Sequence, residues 1–191
     1  MELRKGITCL RRGGVLVAPT DTLYGVLGNA LSRSTVARIE RIKGRSREKP
    51  FIILLGSVRN LGRFGVSPSV SERKILDRLW PGKVSVVFQC RGERFRYLHR
   101  GTKTLAFRVP KKKMLTVFLK HVGPLVAPSA NPEGKRPARS IREARNYFGE
   151  KVDLYIPGGT LRGKPSTIIM MHSGKVKVLR KGAKQINFLT P

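Results

Sequence analysis

The chain has 191 residues, 40% of them hydrophobic, and its 40 lysines and arginines outnumber 11 aspartates and glutamates, which gives a formal net charge of +29. A chain of this length is as a rule one domain and buries roughly 70% of its unfolded surface, which is enough for a globular core. The charge predicts attraction to polyanions, such as nucleic acid or the phosphates of a nucleotide, without identifying which.

The cysteines and the apolar runs exclude several classes of protein. Cys9 and Cys90 are far apart and have no CxxC partner, so they predict neither a zinc site nor a disulfide framework and indicate a reducing compartment. Residues 1–14 lack the apolar core of a signal peptide, and no apolar run reaches the roughly 20 residues that span a membrane. We therefore expect a soluble, cytoplasmic protein that does not associate with membranes.

Apolar spacing and capping residues predict alternating helices and strands. Ser32 is a predicted N-cap, and Ser69 with Glu72 and Ser140 with Glu143 form two capping-box patterns. The predicted helices cover 2–12, 33–43, 70–80, 114–119 and 141–148. The predicted strands cover 15–18, 51–55, 84–88, 104–109, 125–127, 152–156, 167–171 and 176–179.

The connections complete the predicted architecture. Residues 91–103 are predicted to be a polar loop, the basic connection 133–139 a candidate mobile flap, and the last two strands a hairpin that turns at Ser173-Gly174. Alternating strands and helices with a terminal hairpin predict an α/β fold with a mixed sheet. No linker or repeat divides the chain, so we expect one domain over 1–191.

Two apolar strands end in similar polar turns. Pro19 stops the first strand, and Thr20, Asp21 and Thr22 follow it directly. Such a tripeptide alone is most simply explained as a turn cap. The segment LVAPSAN (125–131) repeats the design with a strand, a proline and two polar side chains, and polar turns at strand ends are where open α/β folds bind ligands.

These segments carry a family resemblance. The chain resembles the YrdC/TsaC family of threonylcarbamoyl-AMP synthases through PTDTLYG (19–25), KGR (43–45), WPGKVSVVF (80–88), FRVP (107–110), APSAN (127–131) and PSTII (165–169). The resemblance implies a single-domain twisted mixed sheet flanked by helices, with a basic concave nucleotide-binding cleft. It is to the short form of the family, without the additional C-terminal domain.

By this resemblance, Lys43, Arg45, Ser129 and Asn131 surround ATP, and Lys43 and Arg45 neutralise its phosphates during catalysis. The residues alone leave a second explanation open, because cations are favoured at the carboxyl end of any helix. Phosphate binding combines point charges, forked guanidinium donors and neutral hydrogen-bond groups, and this set contains all of them.

The resemblance places Thr22, Tyr24 and Arg108 at the threonine site. Tyr24 is equally explained as a core aromatic residue. Arg108 lies at the end of a mostly apolar strand, which indicates either a carboxylate or phosphate ligand or a salt bridge within the fold.

The segment GGTLRGKPS (158–166) nearly matches a P-loop. Pro165 occupies the Ser/Thr position of that motif, and a predicted strand follows where a helix is required. We therefore reject a P-loop. The resemblance implies instead that Ser166 and Thr167 hydrogen-bond the nucleotide and that Arg180 also contacts it. The lone histidines, His99, His121 and His172, show no ligand spacing, and we expect no metal site in the chain itself.

The implied reaction converts L-threonine, bicarbonate and ATP to threonylcarbamoyl-AMP and pyrophosphate, with magnesium accompanying ATP. The product would serve a partner transferase that modifies the tRNA adenosine next to the anticodon. Two departures from the family concern the flank of the pocket: the run 46–50 and Glu133 after SANP. Two alternatives stay open, an RNA-binding protein of the same fold without turnover and an enzyme that uses carbamoyl phosphate.

Overall fold

The computed structural model describes residues 1–44, 51–172 and 175–186. The helices in these ranges are α1 (Glu2–Arg11), α2 (Arg33–Lys43), α3 (Val70–Leu79), α4 (Arg96–His99), α5 (Lys113–Val122) and α6 (Ile141–Phe148). The strands are β1 (Leu16–Pro19), β2 (Tyr24–Asn29), β3 (Ile52–Leu54), β4 (Val84–Gln89), β5 (Thr104–Arg108), β6 (Leu125–Val126), β7 (Leu154–Tyr155), β8 (Thr167–His172) and β9 (Lys175–Arg180). Short 3-10 turns occupy Val58–Phe64, Glu93–Phe95 and Gly149–Lys151.

The strands form one mixed sheet in the order β7-β1-β2-β6-β3-β5-β4-β8-β9. The pairs β1–β7, β3–β5 and β4–β8 are parallel, and the other neighbours run antiparallel. Parallel neighbours need crossover connections, which the helices supply. Of the antiparallel pairs, β1 and β2 are joined by a short turn, whereas β6 pairs with two strands that are distant in the sequence. The predicted α/β fold with a mixed sheet is confirmed.

Helices cover both faces of the sheet. Successive residues of a strand point to opposite faces, so that Leu16 packs on one side with Leu10 of α1 and Phe118 of α5. Val17 packs on the other side with Ile39 of α2 and with residues of α3 and α6. The strands in the middle of the sheet are consequently almost wholly buried, whereas most of β9 at its edge is exposed. The polar side chains that line a site lie in turns at strand ends.

Three predicted helix starts are confirmed by their hydrogen bonds. The Ser32 side chain accepts from the Thr35 N–H, and Ser69 and Glu72 bond reciprocally as a capping box. The Ser140 hydroxyl accepts from the Glu143 N–H at 3.2 Å, but the Glu143 carboxylate accepts from the N–H of Arg139 instead of that of Ser140. The last capping box is thus only half formed.

Two predictions of local structure are wrong. Residues 91–103 are not simply a loop, since α4 and the 3-10 turn before it lie within them and bury Leu98 and Phe95 in the core. β2 is not among the predicted strands, although its residues are almost all buried. The hairpin of β8 and β9 is confirmed by their antiparallel pairing, whereas its turn lies outside the described residues. No helix in the described parts of the chain is long and apolar enough to cross a membrane.

Candidate active site

A cleft with a volume of about 190 Å³ lies between the β1–β2 turn, the end of β5, the segment after β6 and the segment before β8. It brings together residues that are distant in the sequence. Six of the predicted site residues line it: Thr22, Tyr24, Arg108, Ser129, Ser166 and Arg180. The two polar turns, which have the same design in the sequence, therefore lie beside each other in the structure.

The β1–β2 turn is organised by Thr20, which is buried. Its hydroxyl accepts from the N–H groups of Thr22 and Leu23 at 3.1 Å each and donates to the Leu23 carbonyl at 2.7 Å. Thr20 thus caps the turn, which is the simpler of the two explanations that the sequence allows for Thr20, Asp21 and Thr22. The Thr22 hydroxyl lies 3.0 Å from that of Thr20 and lines the cleft.

The second polar turn is attached to β2 and closed by its own side chains. Val26 donates its N–H to the Pro128 carbonyl, and Ala130 donates to that of Tyr24. The Ser129 hydroxyl donates to the Asn131 side-chain oxygen at 2.6 Å. Both turns therefore sit in fixed register beside each other at the cleft.

Asn131 ties the second turn to the following connection. Its amide nitrogen donates to the carbonyls of Pro132 and Lys135, both at 2.8 Å, and Ala138 donates its N–H to the Ala130 carbonyl. Residues 133–139, predicted to be a flap, are thus bonded to the turn at two points, and their mobility stays a prediction.

Lys43 lies behind this turn. Its side chain is nearly buried, and its ammonium group donates to the Ser129 carbonyl at 2.5 Å and to the Asn131 carbonyl. A buried ammonium is costly unless hydrogen-bonded, and these carbonyls supply bonds at the carboxyl end of α2. Lys43 therefore fixes the backbone of the predicted nucleotide-binding turn. Its predicted partner, Arg45, lies outside the described residues.

Arg108 forms a buried ion pair with Asp21. Its Nη1 lies 2.6 Å from Asp21 Oδ1, and the two side chains are 4% and 5% exposed. Burial lowers the pKa of Arg108, while the charge of Asp21 opposes that shift. The Nε atom of Arg108 is buried without a hydrogen-bond partner among the described residues. The salt bridge within the fold is thus present, and Arg108 also lines the cleft, where its contact with a ligand stays a prediction.

Ser166 and Arg180 form the opposite wall. Arg180 Nη2 donates to the Ser166 carbonyl at 2.8 Å, and the Ser166 hydroxyl lies 2.9 Å from that of Ser85. Burial and the neighbouring charge of Arg108 lower the pKa of Arg180. The cleft thus presents two guanidinium groups, of which Arg108 has a carboxylate partner.

Thr167 does not line the cleft. Its hydroxyl donates to the Lys184 carbonyl at 2.5 Å, its N–H donates to the Lys83 carbonyl, and its side chain is buried. Neighbouring residues at the start of a strand face opposite sides, so Ser166 and Thr167 cannot both present their side chains to one ligand.

Tyr24 is buried and its ring lines the cleft, with its hydroxyl donating to the Gly159 carbonyl at 2.7 Å. It is both a core residue and a cleft residue, and it holds the segment 158–166 against the β1–β2 turn. We call this segment the strap.

The described residues contain no group of three or more His, Cys, Asp or Glu side chains that would hold a metal ion. The cleft instead offers hydroxyl groups and guanidinium groups, a donor set for carboxylates and phosphates. Asp21 is the one feature whose importance the sequence interpretation missed. Two features of the sequence could have indicated its role: Asp21 lies between two threonines just after a strand, and Arg108 is a single charge on a mostly apolar strand elsewhere in the chain.

Comparisons with known proteins agree with this site. The profile of the Sua5/YciO/YrdC family, described as telomere recombination, matches residues 8–182. A threonylcarbamoyl-AMP synthase of Halorhodospira halophila is 33% identical over 158 residues, covering 82% of this chain and 83% of that protein.

Solved structures show the same fold. Pyrococcus abyssi Sua5 complexed with L-threonine superposes with a TM-score of 0.87 at 31% identity, over 94% of this chain and 54% of that one. Escherichia coli YciO gives a TM-score of 0.87 at 24% identity, over 98% and 92% of the two chains. This chain therefore spans about half the length of the P. abyssi protein and nearly all of YciO. From the profile match over residues 8–182 and the 33% identity to the Halorhodospira halophila protein, the chain belongs to the Sua5/YciO/YrdC family.

Proposed function

We propose that this protein is a threonylcarbamoyl-AMP synthase. The amine of L-threonine condenses with bicarbonate to a carbamate with loss of water. A carbamate oxygen then attacks the α-phosphorus of ATP while pyrophosphate leaves. ATP enters as its magnesium complex, because the triphosphate brings the metal with it. Such a transfer depends on alignment and charge neutralisation and needs no covalent nucleophile from the protein.

The observation that carries this proposal is the meeting of two polar turns and two arginines in one cleft. Arg108 takes the threonine carboxylate through its guanidinium group, with Thr22 and Tyr24 beside it in the lining of the cleft. The Ser129 turn, Ser166 and Arg180 face the nucleotide on the other side.

Lys43 and Arg45 complete the catalytic constellation. Lys43 fixes the carbonyls of Ser129 and Asn131, and we assign it and Arg45 the neutralisation of the phosphates. The hydroxyl of Thr167 is already used within the fold, so we assign its predicted nucleotide contact to Ser166.

The names of the relatives support the same activity. The Halorhodospira halophila protein is named threonylcarbamoyl-AMP synthase, and the Pyrococcus abyssi structure contains L-threonine. We further propose that the protein is cytoplasmic and supplies its product to a transferase that modifies tRNA next to the anticodon. The product is a reactive mixed anhydride, which favours its prompt use by such a partner.

The test is pyrophosphate release from ATP and magnesium, with and without L-threonine and with and without bicarbonate. We expect release that requires both threonine and bicarbonate. Ser129→Ala should reduce it strongly, whereas Ser67→Ala, at an exposed position, should not change it. Release without bicarbonate, when carbamoyl phosphate is supplied and consumed, would instead establish the carbamoyl phosphate enzyme.

The second candidate, an RNA-binding protein without turnover, is favoured by the net charge of +29. It predicts RNA binding with no threonine-dependent release of pyrophosphate. The two functions are compatible in one protein, so the absence of turnover is the decisive result.

A further inference from the structure

Asp21 uses both oxygens of its carboxylate to join two parts of the cleft. Oδ1 accepts from Arg108 Nη1 at 2.6 Å, and Oδ2 accepts from the Lys111 N–H at 3.1 Å. One side chain of the β1–β2 turn thereby fixes the last residue of β5 and the backbone that follows it. Its side chain is 5% exposed, so water does not compete for these bonds.

Arg108 is held in a state that is costly without a ligand. A guanidinium has five N–H donors, and the Nε donor is buried with no partner among the described residues. A buried donor without an acceptor is costly, and such groups in a native structure call for an explanation. Arg108 lines the cleft, so a ligand bound there can supply acceptors to its guanidinium.

We propose that Asp21 is a positioning residue for threonine binding, acting through Arg108. The proposal rests on the proposed function, which assigns the threonine carboxylate to Arg108. Asp21 holds Nη1 on the side of the β1–β2 turn, and this fixes the guanidinium in the lining of the cleft, where the carboxylate binds. Without Asp21, the guanidinium turns to find other acceptors, and its contact with the substrate is lost.

The anchoring of Lys111 adds a second consequence. The Asp21 carboxylate bonds the backbone just after β5, which prevents the end of that strand from shifting relative to the β1–β2 turn. The two walls of the threonine site therefore keep their spacing only while Asp21 carries two acceptor oxygens. An asparagine at this position has one carbonyl oxygen and serves one of the two donors.

The test compares Asp21→Asn with wild-type protein in threonine-dependent pyrophosphate release. We expect the KM for threonine to rise about tenfold or more, as for other residues that orient a ligand-binding side chain, while the KM for ATP changes less than twofold. Asp77→Asn, at an exposed position of α3, is the matched control and should leave both constants unchanged. Equilibrium dialysis with radiolabelled threonine should show the same loss of affinity.

A double variant tests whether Asp21 acts through Arg108. Arg108→Gln should weaken threonine binding strongly, and adding Asp21→Asn should weaken it no further, because the residue to be positioned is gone. A merely structural role would lower the melting temperature and kcat of Asp21→Asn and leave the KM for threonine at its wild-type value, which overturns the proposal.

Asp21→Glu keeps the negative charge on a side chain that is one methylene longer. It tests the positioning role of Asp21 if Asp21→Asn does not fold. We expect a raised KM for threonine, and a wild-type KM in this variant also overturns the proposal. If wild-type protein shows no threonine-dependent release, the proposed function fails and this inference falls with it. If wild-type protein is active and the KM is unchanged in the Asp21 variants, this inference alone fails.

Discussion

At the scale of single residues, Lys43 shows how a charge can act through the backbone. It is 3% exposed, and its ammonium group donates to two carbonyls of the turn that contains Ser129 and Asn131. The carboxyl end of a helix also favours a cation. Lys43 can therefore have two roles at once. Its positive charge is favourable at the carboxyl end of α2, and its hydrogen bonds also fix the turn at the cleft.

The first prediction replaces this lysine. Lys43→Met keeps most of the side-chain volume and removes the ammonium group. The carbonyls of Ser129 and Asn131 then lose the hydrogen bonds that this group donates. We expect the free energy of unfolding to fall by about 1–3 kcal/mol and the melting temperature, followed by circular dichroism, to fall by several degrees. Pyrophosphate release should be almost abolished.

Lys74→Met is the control for this prediction, because Lys74 is exposed on α3. It should leave both the melting temperature and the activity unchanged. Full thermal stability in Lys43→Met would contradict the role of Lys43 in fixing the turn, and full activity would contradict its place in the active site.

At the scale of elements, the strap packs against the β1–β2 turn without room for side chains. A Cβ atom at Gly163 would lie 2.5 Å from the Thr22 carbonyl oxygen, and one at Gly158 would lie 2.3 Å from the Pro19 ring. Tyr24 and Arg139 hold the strap through the Gly159 carbonyl and the Leu161 N–H. The near-match to a P-loop thus has a packing reason for two of its glycines.

The second prediction tests this packing. Gly163→Ala places a methyl group against the backbone of Thr22, which is held in place by the hydrogen bonds of the β1–β2 turn. The strap must therefore shift away from Thr22. We expect the KM for threonine to rise several-fold and the melting temperature to fall. Gly62→Ala is the control, since a Cβ there meets nothing within 4 Å. Unchanged kinetics in Gly163→Ala would show that the strap does not shape the site.

Elements with local signals could be predicted, and elements without them could not. Ser32 and Ser69 predict helix starts because the side chain of an N-cap accepts a hydrogen bond from a backbone N–H only three positions away. β2 was missed because its two glycines weaken a strand pattern. Gly28 is required by packing that is invisible in the sequence, since a Cβ there would lie 2.5 Å from a carbon of the Thr35 side chain.

The same distinction applies to the site. The residue types and the two polar turns could be read from the sequence, together with the resemblance. The pairing of Asp21 with Arg108 joins positions 87 residues apart, and that of Lys43 with Ser129 joins positions 86 apart. No local pattern contains such partners. The resemblance implies a nucleotide contact for both Ser166 and Thr167, and only the strand geometry separates the two.

At the scale of the whole molecule, at least five of the 11 acidic residues are used in ion pairs or helix caps of the fold. Asp21, Glu40 and Asp153 pair with Arg108, Arg100 and Arg38, and Glu72 and Glu143 accept backbone hydrogen bonds at helix starts. The net charge of +29 therefore resides mainly in exposed lysines and arginines. Such a surface attracts polyanions over a long range, independently of the cleft.

The last prediction separates this surface from the active site. We expect the protein to bind tRNA, with an affinity that falls about tenfold or more between 50 and 200 mM salt, because each phosphate contact releases counterions. Lys43→Met should lose pyrophosphate release and keep nearly all of this affinity, since Lys43 is buried. The measurement is the affinity of wild-type protein and of Lys43→Met for tRNA, determined by filter binding over a series of salt concentrations. A loss of RNA affinity in parallel with the loss of activity would place the RNA in the cleft, and salt-independent binding would contradict the electrostatic origin of the attraction.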